Sequence, residues 1–409
     1  MRQLFVAHGF APLASAEAFL NIKYLKYIIN SGWETDLLTV DHNYCSSRYD
    51  AFLDGQLWHI GIRKRFYFKS SENSLGYRAL YRFSPFFRTI PDETISWALQ
   101  SINGLNLEEY DLLHSSSSPL SSHVLGYRIW KRRKMPWLVH FSDPWLGNPY
   151  LKRGGLSRYV NRLLERNVLK NADAINVTNK ETHDLFTDRY PAKWCNKIIV
   201  IPHGFEASWY PREALHRHQN KIILRYIGQF YGPRKPFVLI KAFEDFAKRF
   251  PEKADCFKIE FYGPVDFDPN TYTGSKWPRN VAFMGEVDYL SSLELMKTSD
   301  MLLLIDAPAE KNLFLPSKLI DYLGAERPIW AITPSTGPSA TLLGKIQGVY
   351  FNLPQDQDGL AATFIKIHDD HQRGPLKIKA PAELIQKYNA SNVAGQILDQ
   401  MNRISGKKE

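Results

Sequence analysis

A chain of 409 residues, 44% hydrophobic and 23% charged, has an ordinary globular composition and exceeds what one core usually supports, so it predicts two domains. Three scattered cysteines, Cys45, Cys195 and Cys256, exclude a disulfide framework and have no metal or redox spacing; no stretch approaches the ~20 apolar residues of a membrane span. The net charge is +10 and uneven, because residues 1–205 hold 26 Lys+Arg against 18 Asp+Glu.

Much of that excess stands beside aromatics. Examples are Arg63-Lys64-Arg65-Phe66-Tyr67-Phe68-Lys69, Tyr81-Arg82-Phe83 with Phe86-Phe87-Arg88, and Tyr127-Arg128-Ile129-Trp130-Lys131-Arg132-Arg133-Lys134. Such segments suit an anionic membrane surface, with solvated element faces as the plain alternative. Nucleic acid would also attract them, but no nucleic-acid motif accompanies them and none is expected as a partner. The expected setting is cytoplasmic, with peripheral attachment to the inner face of the plasma membrane.

In chain order, residues 4–7 read as a first strand, too short an apolar run for a signal peptide. Residues 16–29 have apolar residues at helical spacing, closed by Ser31-Gly32. A strand at 36–40 follows, then short strands around 57–62, an aromatic-rich stretch, and a helix at 94–102. Strands at 112–115 and 137–141 flank a basic helix; a helix at 156–170 leads to strands at 174–178 and 197–201. The pattern then restarts: strand 222–227, helix 236–250, strands 258–262 and 281–284, helix 289–298, strand 301–305, helix 318–323 and a strand near 328–332. Alternation of this kind predicts parallel sheets with helices on both faces. The expected domains are 1–205 and 206–385, with a C-terminal helix and tail over 386–409. The last helix, roughly 382–401, is free to pack on either domain.

The most informative stretch is Leu315-Pro316-Ser317-Lys318-Leu319-Ile320-Asp321-Tyr322-Leu323-Gly324. Pro316 and Ser317 open a helix, whose free N–H groups and positive dipole end favour an anion. Lys318 adds a cation in the first turn, and Asp321 lies about one turn on. An anion cradle beside a carboxylate suits a nucleoside diphosphate and its ribose. Upstream, Ile227-Gly228-Gln229-Phe230-Tyr231-Gly232-Pro233-Arg234-Lys235 joins a strand to a helix through a glycine-containing turn with a basic pair. The forked guanidinium of Arg234 matches two phosphate oxygens. Gly263 ends another strand.

Taken together, these residues resemble the retaining GT-B glycosyltransferases of family four, particularly bacterial enzymes of surface-polysaccharide assembly, over nearly the whole length. In the first half, His140-Phe141-Ser142-Asp143-Pro144-Trp145 is similar to the family's Asp-Pro-Trp turn, and Ile201-Pro202-His203-Gly204 to its interdomain stretch. The resemblance implies two doubly wound Rossmann-like α/β domains facing across a cleft. It implies a UDP- or GDP-type sugar donor held by Gly228, Arg234, Lys235, Gly263, Ser317, Lys318, Leu319 and Asp321. The acceptor, lipid-linked or glycan, would lie against Ala14, Ser15 and Glu17. Asp143, His114 and Ser116 are the candidates for the catalytic site, and no cofactor or metal is implied.

The chain departs from the family pattern in three places. Leu313 stands where the first of two paired glutamates usually falls, with Glu310 out of register. Ala14-Ser15 replaces a double glycine. Ser116 occupies the position of a frequent histidine, two residues beyond His114. Two alternatives stay open: a nucleotide-sugar 2-epimerase of the same fold, and a non-catalytic nucleotide- or glycan-binding subunit. His8, His123 and His203 read as structural.

Overall fold

The computed structural model describes residues 1–44, 48–71, 74, 76, 90–148, 154–212, 221–268, 277–309 and 313–406. Cys45, the aromatic-basic run 81–88 and Glu310 therefore lie outside the described residues. Two compact units form, Met1–Gly204 with Ala390–Glu409, and Phe205–Asn389.

In the first unit, β1 (Arg2–Val6), β2 (Glu34–Val40), β3 (Lys64–Phe68), β4 (Leu112–Ser117), β5 (Trp137–Phe141), β6 (Ala174–Val177) and β7 (Ile198–Val200) form one sheet. Every described pairing is parallel, and the order is β3-β2-β1-β4-β5-β6-β7. Leu4, Phe5, Val6 and all five residues of β5 are buried because helices cover both faces, so these strands read as continuous apolar runs. The helix Ala16–Asn30 starts where Ser15 Oγ accepts from the Ala18 amide at 3.1 Å, a cap that contributes about 1 kcal/mol.

Three expected elements differ. Strands were expected around 57–62, but the helix Ala51–His59 takes that stretch, started by Asp50 Oδ1 accepting from the Leu53 amide at 2.8 Å. The edge strand β3 follows it and carries the first basic cluster. The helix expected over 94–102 is confined to Ile95–Ala98. The expected last helix is two, Ala382–Lys387 in the second unit and Ala390–Ser405 in the first. The second of these packs on the helix Ala16–Asn30, and Trp33 Nε1 donates to Asn402 Oδ1 at 3.1 Å.

The basic clusters of this unit are largely tied into its structure. Arg63 pairs with Asp36 and, at 3.1 Å, with Glu109. Arg128 donates to the carbonyls of Ala98 and Gln100, and Arg133 to those of Leu107 and Tyr110.

The second unit repeats the plan with β8 (Ile222–Ile227), β9 (Phe257–Tyr262), β10 (Val281–Gly285), β11 (Met301–Ile305), β12 (Ile329–Ile332) and β13 (Tyr350–Asn352). Their order is β10-β9-β8-β11-β12-β13, again parallel. On one face the helices Phe237–Arg249 and Gln357–Arg373 meet through Phe246 stacked on Phe364 at 5.4 Å. On the other, the helix Ser317–Ala325 is buried through Leu319, Ile320 and Leu323.

In each unit the chain steps from one side of its first strand to the other, between β1 and β4 and between β8 and β11. At such a switch the strand-to-helix loops diverge and leave a crevice at the carboxyl ends, the usual ligand position in open α/β sheets.

Candidate functional site

The second unit gathers its candidate residues at the β8/β11 switch. Gly228 follows β8 with φ +141°, and a Cβ there would collide with the Lys318 ammonium and its Cε. Gly263 follows β9 with φ +120°, and a Cβ would collide with the Gly228 carbonyl. Both positions need glycine for conformation and for space. Lys318, in the first turn of the helix Ser317–Ala325, runs across the end of β8, where its Nζ donates to the Tyr226 hydroxyl at 2.5 Å.

Arg234 lies nearby, 6% exposed, its Nη2 3.5 Å from Asp306 Oδ1. Asp306 follows β11 directly, and its other oxygen accepts from Thr333 Oγ1 at 2.8 Å. Burial, and then the Arg234 guanidinium, hold the Lys318 ammonium well below the usual lysine range, against the pull of Asp306. Two cations thus share one carboxylate, and an incoming anion would stabilise both. The amides of Ser317 and Lys318 belong to the first helical turn, which has no intrahelical acceptors, whereas the Leu319 amide donates to the Pro316 carbonyl at 2.9 Å and its side chain is core.

The helix is fixed by Tyr322, whose hydroxyl accepts from the Ile227 amide and donates to the Leu303 carbonyl, each at 3.1 Å. That one side chain ties the helix Ser317–Ala325 to the ends of β8 and β11. Asp321 is 7% exposed, and both of its oxygens accept from the Tyr289 hydroxyl at 3.1 Å. Burial and the Asp321 charge raise the Tyr289 phenol well above its usual range, so it remains a donor. Lys235 is directed elsewhere, to Asp266, which also accepts from the Gly232 amide at 2.7 Å.

In the first unit, helix Ala16–Asn30 and the turn after β5 bring Glu17 and Asp143 together. Ser142 Oγ donates to Glu17 Oε2 at 2.8 Å. Burial pushes the Glu17 carboxyl up to about 8, with Ser142 opposing and Asp143 reinforcing the shift. Burial alone pushes Asp143 up to about 6. Two adjacent carboxyls with separated pKa values can hold one proton between them at neutral pH. Ser15 caps the same helix, and Gly9 approaches its hydroxyl closely, while the Ala14 amide donates to the Arg48 carbonyl at 2.6 Å.

His114 lies within β4, which runs two residues beyond the expected 112–115 to Ser117; it is fully buried, its ring 4.7 Å from Phe5 and its Nδ1 3.3 Å from Gln3 Oε1. Burial lowers its pKa well below the imidazole range. Ser116 is also buried, donating to Asn21 Oδ1 at 2.9 Å. Burial likewise lowers His8 and His140 to about 4 and His123 and His203 to about 3. His8 stands at the end of β1, where its amide donates to Ser122 Oγ at 3.1 Å.

Sequence reasoning passed over Asp306, Tyr289 and Tyr322. Asp306 had a signal, a charged residue directly after an apolar strand; the two tyrosines act through contacts that no local pattern announces. Among the described residues no group of three or more His, Cys, Asp or Glu could hold a metal ion.

These paired switch-point crevices on two parallel α/β units define the GT-B fold. Within it, residues 32–209 match the family model Glycosyltransferase Family 4. HepE of Anabaena, solved with UDP and glucose, superimposes with a TM-score of 0.66 at 16% identity over 98% of this chain and 99% of its own. A TarM mutant of S. aureus, solved with Fondaparinux, alpha-GlcNAc-glycerol and UDP, gives 0.60 at 10% identity over 98% and 99%. The UDP-GlcNAc 2-epimerase of Neisseria meningitidis, bound to UDP-GlcNAc, gives 0.57 at 13% over 98% and 100%. No curated protein matches the sequence.

Proposed function

We propose that this protein is a retaining glycosyltransferase that moves a hexosyl group from a nucleoside diphosphate sugar to a lipid-linked or glycan acceptor in polysaccharide or glycoconjugate biosynthesis. The observation that supports the reading most is the placement of Arg234, beside Asp306, and of Lys318, across the end of β8, at the β8/β11 switch, next to a helix N-terminus and one turn from Asp321. Arg234, Lys318 and the first-turn amides take the diphosphate, and Asp321, oriented by Tyr289, takes the ribose hydroxyls. As the glycosidic bond to the diphosphate breaks, negative charge grows on the leaving oxygen, where fixed cations and amide dipoles stabilise it most.

The acceptor hydroxyl attacks on the face the diphosphate leaves and gives its proton to a departing phosphate oxygen, so no metal and no dedicated protein base are required. The UDP in the HepE and TarM structures supports a uridine donor, and the TarM ligands support a glycan acceptor. The expected setting is the cytoplasmic face of the plasma membrane.

A second reading has one observation in its favour. Glu17 and Asp143 supply adjacent carboxyls with raised pKa values, the kind of pair that proton transfer at a sugar carbon uses in a 2-epimerase. Incubation with a panel of UDP- and GDP-sugars, with EDTA, with and without glycan or polyprenyl-linked acceptors, separates the two. Transfer predicts acceptor-dependent release of nucleoside diphosphate and a product that keeps the donor's anomeric configuration. Appearance of a C2 epimer without acceptor, or no turnover despite nucleotide binding, overturns the transferase reading.

A further inference from the structure

The helix Gly155–Asn171 presents an outward face that the proposed chemistry does not use. Leu156 is 63% exposed, Tyr159 60% and Leu163 37%, at spacings of three and four residues that align them along one side. Beside them, Arg162, Arg166 and Lys170 recur every fourth residue, all exposed. The helix's only carboxylate, Glu165, points the other way: fully buried, it accepts from the Leu146 amide, Arg189 and Tyr190 at 2.7, 3.0 and 2.7 Å. The exposed face therefore carries apolar groups and cations with no acid among them.

A merely solvated helix face mixes both signs of charge and does not align three large apolar side chains in water. An apolar stripe bordered by cations is instead the pattern of a helix lying in the interface of an anionic bilayer, with leucines and tyrosine below the headgroups and arginines among them. Trp194 extends the surface, the Arg166 guanidinium standing 5.6 Å from its ring. No described helix is long and apolar enough to cross a membrane, so contact of this kind is parallel to the surface.

We infer that the helix Gly155–Asn171 docks the first unit onto an anionic lipid surface, Leu156, Tyr159 and Leu163 entering the interface while Arg162, Arg166 and Lys170 meet lipid phosphates. The inference deepens the lipid-linked branch of the proposed function by naming the surface at which such an acceptor is met. It also shifts the membrane face from the basic runs 62–69 and 127–134, where Arg63, Arg128 and Arg133 are bonded within the unit, to the helix expected at 156–170, to which the sequence assigned no role.

The test is co-sedimentation of the full chain with vesicles of phosphatidylglycerol and phosphatidylcholine in equal parts, and of phosphatidylcholine alone. Wild type binds the anionic vesicles and leaves the neutral ones. The R162Q/R166Q variant loses on the order of tenfold or more in partitioning, given about 1 kcal/mol per basic residue near the surface, and this loss shrinks with added salt. L156S/Y159S/L163S loses binding at all salt concentrations; should it unfold, the single Leu156→Ser variant replaces it with a smaller loss. A UDP titration on the same samples reads the second unit separately and should not change, so failure of the docking helix is distinguished from failure of the sugar-transfer reading. Absence of binding to anionic vesicles, unchanged partitioning of both variants, or a preference for duplex DNA over vesicles would overturn the inference.

Discussion

Replacing Glu17 with glutamine removes a proton equilibrium from a buried position in the first unit. In an unfolded chain its carboxyl titrates near 4.5, whereas in the folded unit burial and Asp143 push it up to about 8. Because the folded pKa is the higher one, its stability contribution is complete below 4.5 and is lost as pH rises towards 8, where folding must hold a proton that the unfolded chain releases. At about 1.36 kcal/mol per unit, the interval from 4.5 to 8 sets an upper bound of ~5 kcal/mol, which relaxation and water around the group reduce. Glutamine never ionises and still accepts from Ser142 Oγ. Glu17→Gln should therefore match wild type near pH 4.5 and exceed it by roughly 1–3 kcal/mol at pH 8, raising the first-unit transition by ~2–4 °C per kcal/mol. Calorimetric scans of both proteins at the two pH values measure this. An equal difference at both pH values, or a less stable variant at pH 8, would refute the buried, proton-sharing pair.

Asp321→Asn keeps a partner for Tyr289 but removes the charged acceptor for ribose, so UDP affinity should fall about tenfold or more, while inorganic pyrophosphate binding stays as in wild type; a matching loss for pyrophosphate would place Asp321 elsewhere. Gly228→Ala combines a φ of +141° with a collision at Lys318, so it should lower both Tm and UDP affinity. Gly232→Ala, with φ +57° and no atom within 4 Å of a Cβ, should cost less on both counts; equal effects would argue against the close approach of Lys318.

Much of the fold could be read in advance because buried parallel strands are continuous apolar runs, and those at 137–141 and 301–305 stand out for that reason. Where the reading slipped, local chemistry was ambiguous. Serines 115 to 117 resemble the polar end of a strand, yet they are buried in β4: Ser115 meets His123 Nδ1 at 2.9 Å and Trp137 Nε1 at 3.0 Å, and Ser116 meets Asn21. The helix Ala51–His59 has little amphipathic pattern, and its clearest signal is the capping Asp50. In the second unit the candidate residues other than Gly263 fall in two short segments, each recognisable by glycine, proline and cation content. The contact of Glu17 with Ser142, next to Asp143, spans distant segments that the order β1-β4-β5 brings together, and no spacing in the sequence specifies that order.

In the proposed function Arg234 and Lys318 form the diphosphate cradle of the second unit. Titration calorimetry of UDP into wild type, Arg234→Ala and Lys318→Ala tests it most directly, with uridine as the phosphate-free control. Each substitution removes a charge-assisted contact of about 1.5–3 kcal/mol, so UDP affinity should fall at least tenfold in each variant while weak uridine binding is unchanged. UDP binding of wild-type strength in both variants would contradict the account.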